Sequence, residues 1–362
     1  MERQHSLIVL DHLDRMTDST GMIQHAIYSV PRRESGYTID DNARALRLCT
    51  RLWCQRPDDR MLGRVTTYLS LLEYSRRAGG GFHNLLSYQR QWMDTDSDGD
   101  CQGHAVRALA EVLGSSLPEG YRSLAREMIE GVLPTLADLR SIRAQAYVIL
   151  AWGHLKASGV TSVSLLEGVA RSAAHRLAEC YQRSKRPEWQ WFESRLTYAN
   201  AVLPHALFVA ARCWPEEGFL EPAESTLRFL DQATTERGLF WPVGNAGWYS
   251  HGEEKAPYDQ QPLEAVTMAE ASLAAFGAVG GEDRLGAFGR ALAWFHGQNS
   301  LGHTLVDART GACCDGLQVG GVNRNQGAES TLAYLWSQVL AAEVHCAMAG
   351  RSGAPAGAFA PV

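Results

Sequence analysis

Two kinds of helical pattern alternate along the chain. Segments near 5–16, 59–77, 119–139, 162–183, 219–235 and 282–298 repeat apolar residues every three to four positions, with charged residues between them. That is the pattern of a helix with one buried face. Between them lie 41–53, 103–113, 143–154, 198–213, 263–277 and 327–346, which are rich in alanine and other small residues. Small side chains let neighbouring helices approach closely, so this second set predicts an inner ring with the first set wrapped outside. Strand-like alternation is scarce, and the best candidate, 238–242, is short and bounded by Gly238 and Pro242.

The inner segments begin about 40 to 65 residues apart, the loose period of a repeated helical hairpin with variable loops. The expected fold is all-α, an (α/α)6 toroid of six inner and six outer helices occupying 1–348 as one domain. An open solenoid of helix pairs is the alternative. Residues 349–362 lack periodicity and are expected to be a disordered tail. The long connections before inner helices, 17–40, 79–102, 186–197, 238–262 and 297–326, collect Gly, Trp, Tyr, Asp and Gln. In a toroid they share one face, which becomes the mouth of a pocket.

Composition narrows the partners. A net charge of −6, from 34 basic and 40 acidic residues mixed along the chain of 362, offers no basic stripe for nucleic acid. No stretch approaches the roughly 20 apolar residues of a membrane span, and the first residues break their apolar run at Asp11 and His12, so a cytoplasmic protein is expected. The eight cysteines are too sparse for a disulfide scaffold. Cys101, Cys313, Cys314, His83 and His104 lack zinc-ligand spacing, and no metal or cofactor is expected.

Five clusters of acids, amides and aromatics precede inner helices. The first holds Tyr37, Asp40, Asp41 and Asn42, with Arg44 placed to pair with either acid. One acid suffices to cap a helix, so the other is available as a base or sugar ligand. The second holds His83, Arg90, Trp92 and the acidic run 94–100; a calcium loop needs a glutamate at its twelfth position, where Ala105 stands, leaving Asp100 as the candidate. The third holds Trp189, Trp191, Glu193, Tyr198 and Asn200, in which indoles would stack on sugar rings. The fourth holds His251, Tyr258, Asp259, Gln260 and Gln261, a dense set of donors and acceptors for vicinal hydroxyls. The fifth holds Asn325, Gln326 and Glu329. Capping, turn chemistry or, for the two tryptophans, core packing explain each cluster singly; their common phase favours one shared pocket.

Four separated stretches, GYTIDDNARAL, WQWFESRLTYANAVLPHAL, YDQQPLEA and VNRNQGAESTLAYL, resemble a bacterial family of helical-toroid proteins. That family occurs alone or attached to glycosyltransferases, and is often encoded near phosphorylases acting on β-mannosides. The resemblance runs from about Leu7 to Ala347 and implies carbohydrate metabolism, an oligosaccharide or glycoconjugate substrate, and a glycosyltransferase or phosphorylase as pathway partner. The leading expectation is an inverting glycoside hydrolase with Glu193 or Glu329 as acid and Asp40 or Asp41 as base. A phosphorylase would use Arg90, Arg195 or Arg324 for phosphate, and an epimerase His83, His205 or His251 for proton transfer. A non-catalytic glycan-binding module would need no converging carboxylates. A terpene cyclase is disfavoured, since neither DDxxD nor DxDD occurs.

Overall fold

The small-residue segments become α2 (Ile39–Gln55), α4 (Gly99–Leu113), α6 (Ile142–Ala157), α8 (Val202–Cys213), α10 (Pro262–Val279) and α12 (Ala328–Arg351) in the computed structural model, which describes residues 8–95 and 99–351. Each packs on the next and α12 packs back on α2, so the inner ring closes and the open solenoid is excluded. The amphipathic segments become α3 (Asp59–Tyr74), α5 (Glu119–Leu136), α7 (Leu165–Ser184), α9 (Leu220–Ala233) and α11 (Glu282–Phe295), each lying on the inner helix before it. The sixth hairpin is closed by the ends of the chain, with α1 (Asp11–Met16) against α12. The architecture is an (α/α)6 toroid.

The two helix types differ in burial as their sequences require. Every residue of α4 from Cys101 to Leu113 is buried, as is every residue of α10 from Pro262 to Leu273. On α3 the buried positions Met61, Val65, Tyr68, Leu69 and Leu72 keep one face, and the other meets solvent. Two glycines set the inner spacing: a Cβ on Gly103 would come within 2.9 Å of the Ala144 Cα, and one on Gly153 would collide with Val209. Alanine at either position would push neighbouring inner helices apart.

The connections carry strands of two or three residues: β1 (Ala26–Ile27) with β2 (Val30–Pro31), β3 (Tyr37–Thr38) with β4 (Leu85–Leu86), β5 (Arg195–Leu196) with β8 (Tyr249–Ser250), β6 (Thr235–Glu236) with β7 (Leu239–Phe240), β9 (Val306–Asp307) with β10 (Ala312–Cys313), and β11 (Gly316–Gln318) with β12 (Gly321–Asn323). The β3–β4 and β5–β8 pairs, with a bridge from Gln260 to Leu317, knit consecutive pre-helix loops into one rim. The 238–242 run supplies β7, a hairpin arm only. Residues 5–7 of the first predicted helix and 352–362 of the predicted tail lie outside the described residues, while α12 continues to Arg351, beyond the predicted break at Met348. No described helix is long and apolar enough to cross a membrane.

Candidate functional site

A cavity of about 380 Å³ opens at the end of the ring where the inner helices begin. Asp40 and Asp41 reach it from the first turn of α2, Glu329 from the first turn of α12, and Asp259, Gln260 and Gln261 from the approach to α10; Asp315, His25 and Asn245 complete its polar wall. Neither aspartate is consumed in capping α2. The cap comes from another loop: Asn84 Oδ1 accepts from the N–H groups of Ile39 at 3.1 Å and Asp40 at 3.3 Å. Both acids are therefore free for other work.

They turn to one guanidinium. Arg44 donates to Asp41 Oδ1 at 2.9 Å and Asp40 Oδ2 at 3.3 Å, and its other terminal nitrogen lies 3.1 Å from Glu329 Oε2. Three carboxylates thus share one cation inside the ring. Burial and the neighbouring Asp40 push the Asp41 carboxyl up to about 8, against the opposing pull of Arg44. Thr38 Oγ1 holds the other Asp41 oxygen at 2.8 Å. Glu329 is also raised, first by burial, with Asp40 and Asp315 adding to it, yet 36% of its side-chain surface still faces the cavity. Asp40 Oδ1 is buried with no hydrogen-bond partner among the described residues, while 26% of the Asp40 side-chain surface stays exposed where the residue lines the cavity.

Behind the acids lie groups that the sequence reading did not assign to the site. Arg44 also donates to His104 Nε2 at 3.2 Å, and the His104 ring packs on Tyr147 with centroids 4.0 Å apart. Burial and three arginines lower His104 well below the usual histidine range, which keeps the imidazole neutral and able to accept. The missed signal was a stripe. Asp100, His104, Arg107 and Glu111 follow one another at four, three and four residues on a helix whose other residues, Gln102 apart, are small or apolar, which places them on one face toward the ring axis.

The other sequence candidates have different neighbours. Glu193 pairs with Arg143 at 3.1 Å, and Asp100 accepts from Tyr198 at 2.6 Å, with Arg143 over the Tyr198 ring at 4.4 Å. This group joins the starts of α4 and α6 to the loop before α8, and Glu193 has an arginine partner there. Trp189 and Trp191 are 2% and 0% exposed. Trp189 packs on Phe229 and Tyr249 and Trp191 on Phe192, so neither presents a face to a sugar. Their burial follows from filling the space beneath the loop.

Several amides and rings serve the loops. Asn42 binds the backbone of Met22 and Thr38, and Asn200 binds Thr197 and Glu264. Gln260 lines the cavity but is 0% exposed, its side chain joined to Pro257, Ser300 and Trp294. Tyr37 is buried and donates to Asp18. His83 stacks on Trp92 at 4.8 Å, and Arg90 stands exposed at a φ of 62° in a turn. His251 meets Glu188 at 3.1 Å on the exterior, and the Tyr258 carbonyl accepts from the Ala246 N–H at 3.4 Å. Asn325 and Gln326 bind the backbone of Tyr28 at the rim. Among the described residues, no three His, Cys, Asp or Glu side chains gather in a way that would hold a metal ion.

No family model matches the sequence, and no curated protein matches it. Solved structures do. A cellobiose 2-epimerase from Bacillus thermoamylovorans superposes with a TM-score of 0.71 at 12% identity, covering 92% of this chain and 96% of that one. A sugar epimerase from a ruminal bacterium gives 0.68 at 11%, covering 91% and 94%. A GH76 α-mannanase from Bacteroides thetaiotaomicron gives 0.62 at 10%, covering 86% and 88%. At these identities the likeness is one of fold.

Proposed function

We propose that this protein is a carbohydrate-active enzyme, a glycoside hydrolase with Glu329 as the acid and Asp40 as the base. The observation that carries the reading is the sharing of Arg44 by three carboxylates in one cavity wall. Such a cluster holds protons at neutral pH, because three buried negative charges against one positive are too costly. Asp41, pinned between Thr38 and Arg44 and raised to about 8, holds one of them. Glu329, raised and facing the cavity, protonates the glycosidic oxygen, so that the bond to the anomeric carbon breaks and the leaving group departs as an alcohol. Asp40 takes a proton from the attacking water, whose oxygen joins the anomeric carbon. A non-catalytic module would not need this convergence, and the carbohydrate enzymes among the fold neighbours are in keeping with it.

The test is a panel of manno- and gluco-oligosaccharides, with and without phosphate, given to the protein and to Asp40→Asn, Glu329→Gln and Glu193→Gln variants, with products followed by chromatography. The first two variants should lose about 10²–10⁴-fold in turnover, and Glu193→Gln should keep most of it. Cleavage that survives both of the first two substitutions would sink the assignment.

An epimerase is the second reading, favoured by neutral His104 beside Arg44 on the ring axis. The histidines first weighed for that role lie elsewhere: His205 is held at about 3 deep in the ring, and His83 and His251 are engaged in the outer loops. An isomeric product without cleavage, with solvent deuterium entering the sugar, would establish the second reading over the first.

A further inference from the structure

The proposed carbohydrate site continues past its rim. We propose that Tyr28 is a stacking platform for the sugar next to the one held in the cavity, so that the ligand is an oligosaccharide; this rests on the reading above.

Tyr28 opens the two-residue turn between β1 and β2, where Ile27 pairs with Val30. Its φ of 51° is a left-handed conformation that glycine adopts freely and a tyrosine adopts at a cost. A turn alone gives no reason for an aromatic ring there. The ring is 65% exposed, so it is not paid for by burial in the core.

The backbone around it is fixed. The Tyr28 N–H donates to Asn325 Oδ1 at 3.0 Å, and the Tyr28 carbonyl accepts from the Gln326 N–H at 2.9 Å. Both flanking elements lead directly into the cavity wall: Gln24 and His25 precede the hairpin, and Gly327 and Glu329 follow the loop that clamps it. Tyr28 is therefore held at the mouth by the same segments that build the site.

At about 380 Å³ the cavity lies near the lower end of the roughly 300–1,000 Å³ usual for ligand sites. A short end of a sugar chain fills it, and further residues must leave over the rim. An exposed tyrosine suits that position, with ring carbons for the apolar face of a sugar and a hydroxyl for its neighbours.

The test is isothermal titration of the whole protein with mannose and glucose and with their di- and trisaccharides, comparing wild type, Tyr28→Ala and Tyr28→Phe. Tyr28→Ala should weaken the trisaccharides about three- to tenfold, the effect of one stacked ring, and leave the monosaccharides unchanged; Tyr28→Phe should restore binding. Trisaccharide affinity equal in wild type and Tyr28→Ala would overturn the platform and leave the carbohydrate reading standing. Equal weakening of mono- and trisaccharides would overturn it too, by showing a disturbed cavity. A wild type that binds no sugar of the panel would overturn the carbohydrate reading and the platform with it.

Discussion

Arg44 and Arg47 are one turn apart on α2, and the clusters they serve differ first in charge balance. At the mouth, Arg44 faces Asp40, Asp41 and Glu329. Deeper in the ring, Arg47 and Arg107 face Glu111 and Glu270. Glu270 Oε1 accepts from Arg47 at 2.5 Å, Arg107 at 2.9 Å and the Trp336 indole at 2.9 Å, while Trp336 also lies under the Arg47 guanidinium at 3.7 Å. The consequences are opposite. The deep arginines hold Glu270 far below the usual carboxylate range and also lower Glu111, despite the cost of burial. At the mouth, burial and crowding win and Asp41 rises to about 8. A balanced cluster fixes charges and ties α2, α4, α10 and α12 together; an acid-rich one retains a movable proton, which acid–base chemistry requires.

The sharpest way to break this contrast is to neutralise one acid in each cluster. Glu270→Gln leaves two buried arginines short of a counter-charge and should cost about 3–5 kcal/mol in a denaturant titration. Glu329→Gln relieves an acid excess, so its stability should stay within about 1 kcal/mol of wild type. Equal losses in the two variants would make the mouth cluster a structural ion pair like the deep one.

The second effect is a pH signature. Asp41 has a folded-state value near 8 against 3.8 for an ordinary aspartate, so the folded protein binds the extra proton between those limits. Its stabilising contribution is present below about 4 and is lost as pH rises toward 8. The deep glutamates, lowered from 4.5, do the reverse: their contribution is present above 4.5 and is lost on acidification. Asp41→Asn should therefore flatten the decline in melting temperature between pH 5 and 8.5, by several degrees at the alkaline end, and leave the acid limb in place. An unchanged alkaline slope would show that Asp41 is ionised at neutral pH.

The same balance explains what could be read from the sequence. The ring was legible because inner and outer helices differ in composition over whole segments, and most predicted inner spans fall inside the observed helices. The start of α8 is an exception: residues 198–201 form a turn, with Ala199 at a φ of 45°, and the helix begins at Val202. Asp40, Asp41 and Glu329 were legible as acids at the starts of inner helices. Trp189 and Trp191 could be read either as core or as stacking faces, because a loop's sequence does not say which side of it faces the protein. Asn42, Asn200 and Gln260 misled for a related reason. Loops packed over helix ends have buried backbone groups that need partners, and amides supply them as readily as they would supply a sugar. Arg44, whose pairing was foreseen, was not given a place in the site because a pair at three or four residues is ordinary on a helix surface. Only the closed ring turns that face inward.

The smallest effect tests how the mouth acids came to be free. Asn84 caps α2 from the loop after β-bridged Phe82, in a segment that is itself held by Asp94, whose two oxygens accept from the N–H groups of Asn84 and Leu85 at 2.9 Å each. Asn84→Ala removes one cap and should cost about 1 kcal/mol. The deep cluster offers no comparable dependence on a loop, since its members lie in the interiors of inner helices. If the cap also holds Asp40 and Asp41 in register with Glu329, Asn84→Ala should lower turnover by more than its loss of stability explains, whereas Asn84→Asp, which keeps the accepting oxygen, should restore stability. Full turnover in Asn84→Ala would mean that Arg44 alone aligns the three acids, and that the mouth is as self-contained as the cluster below it.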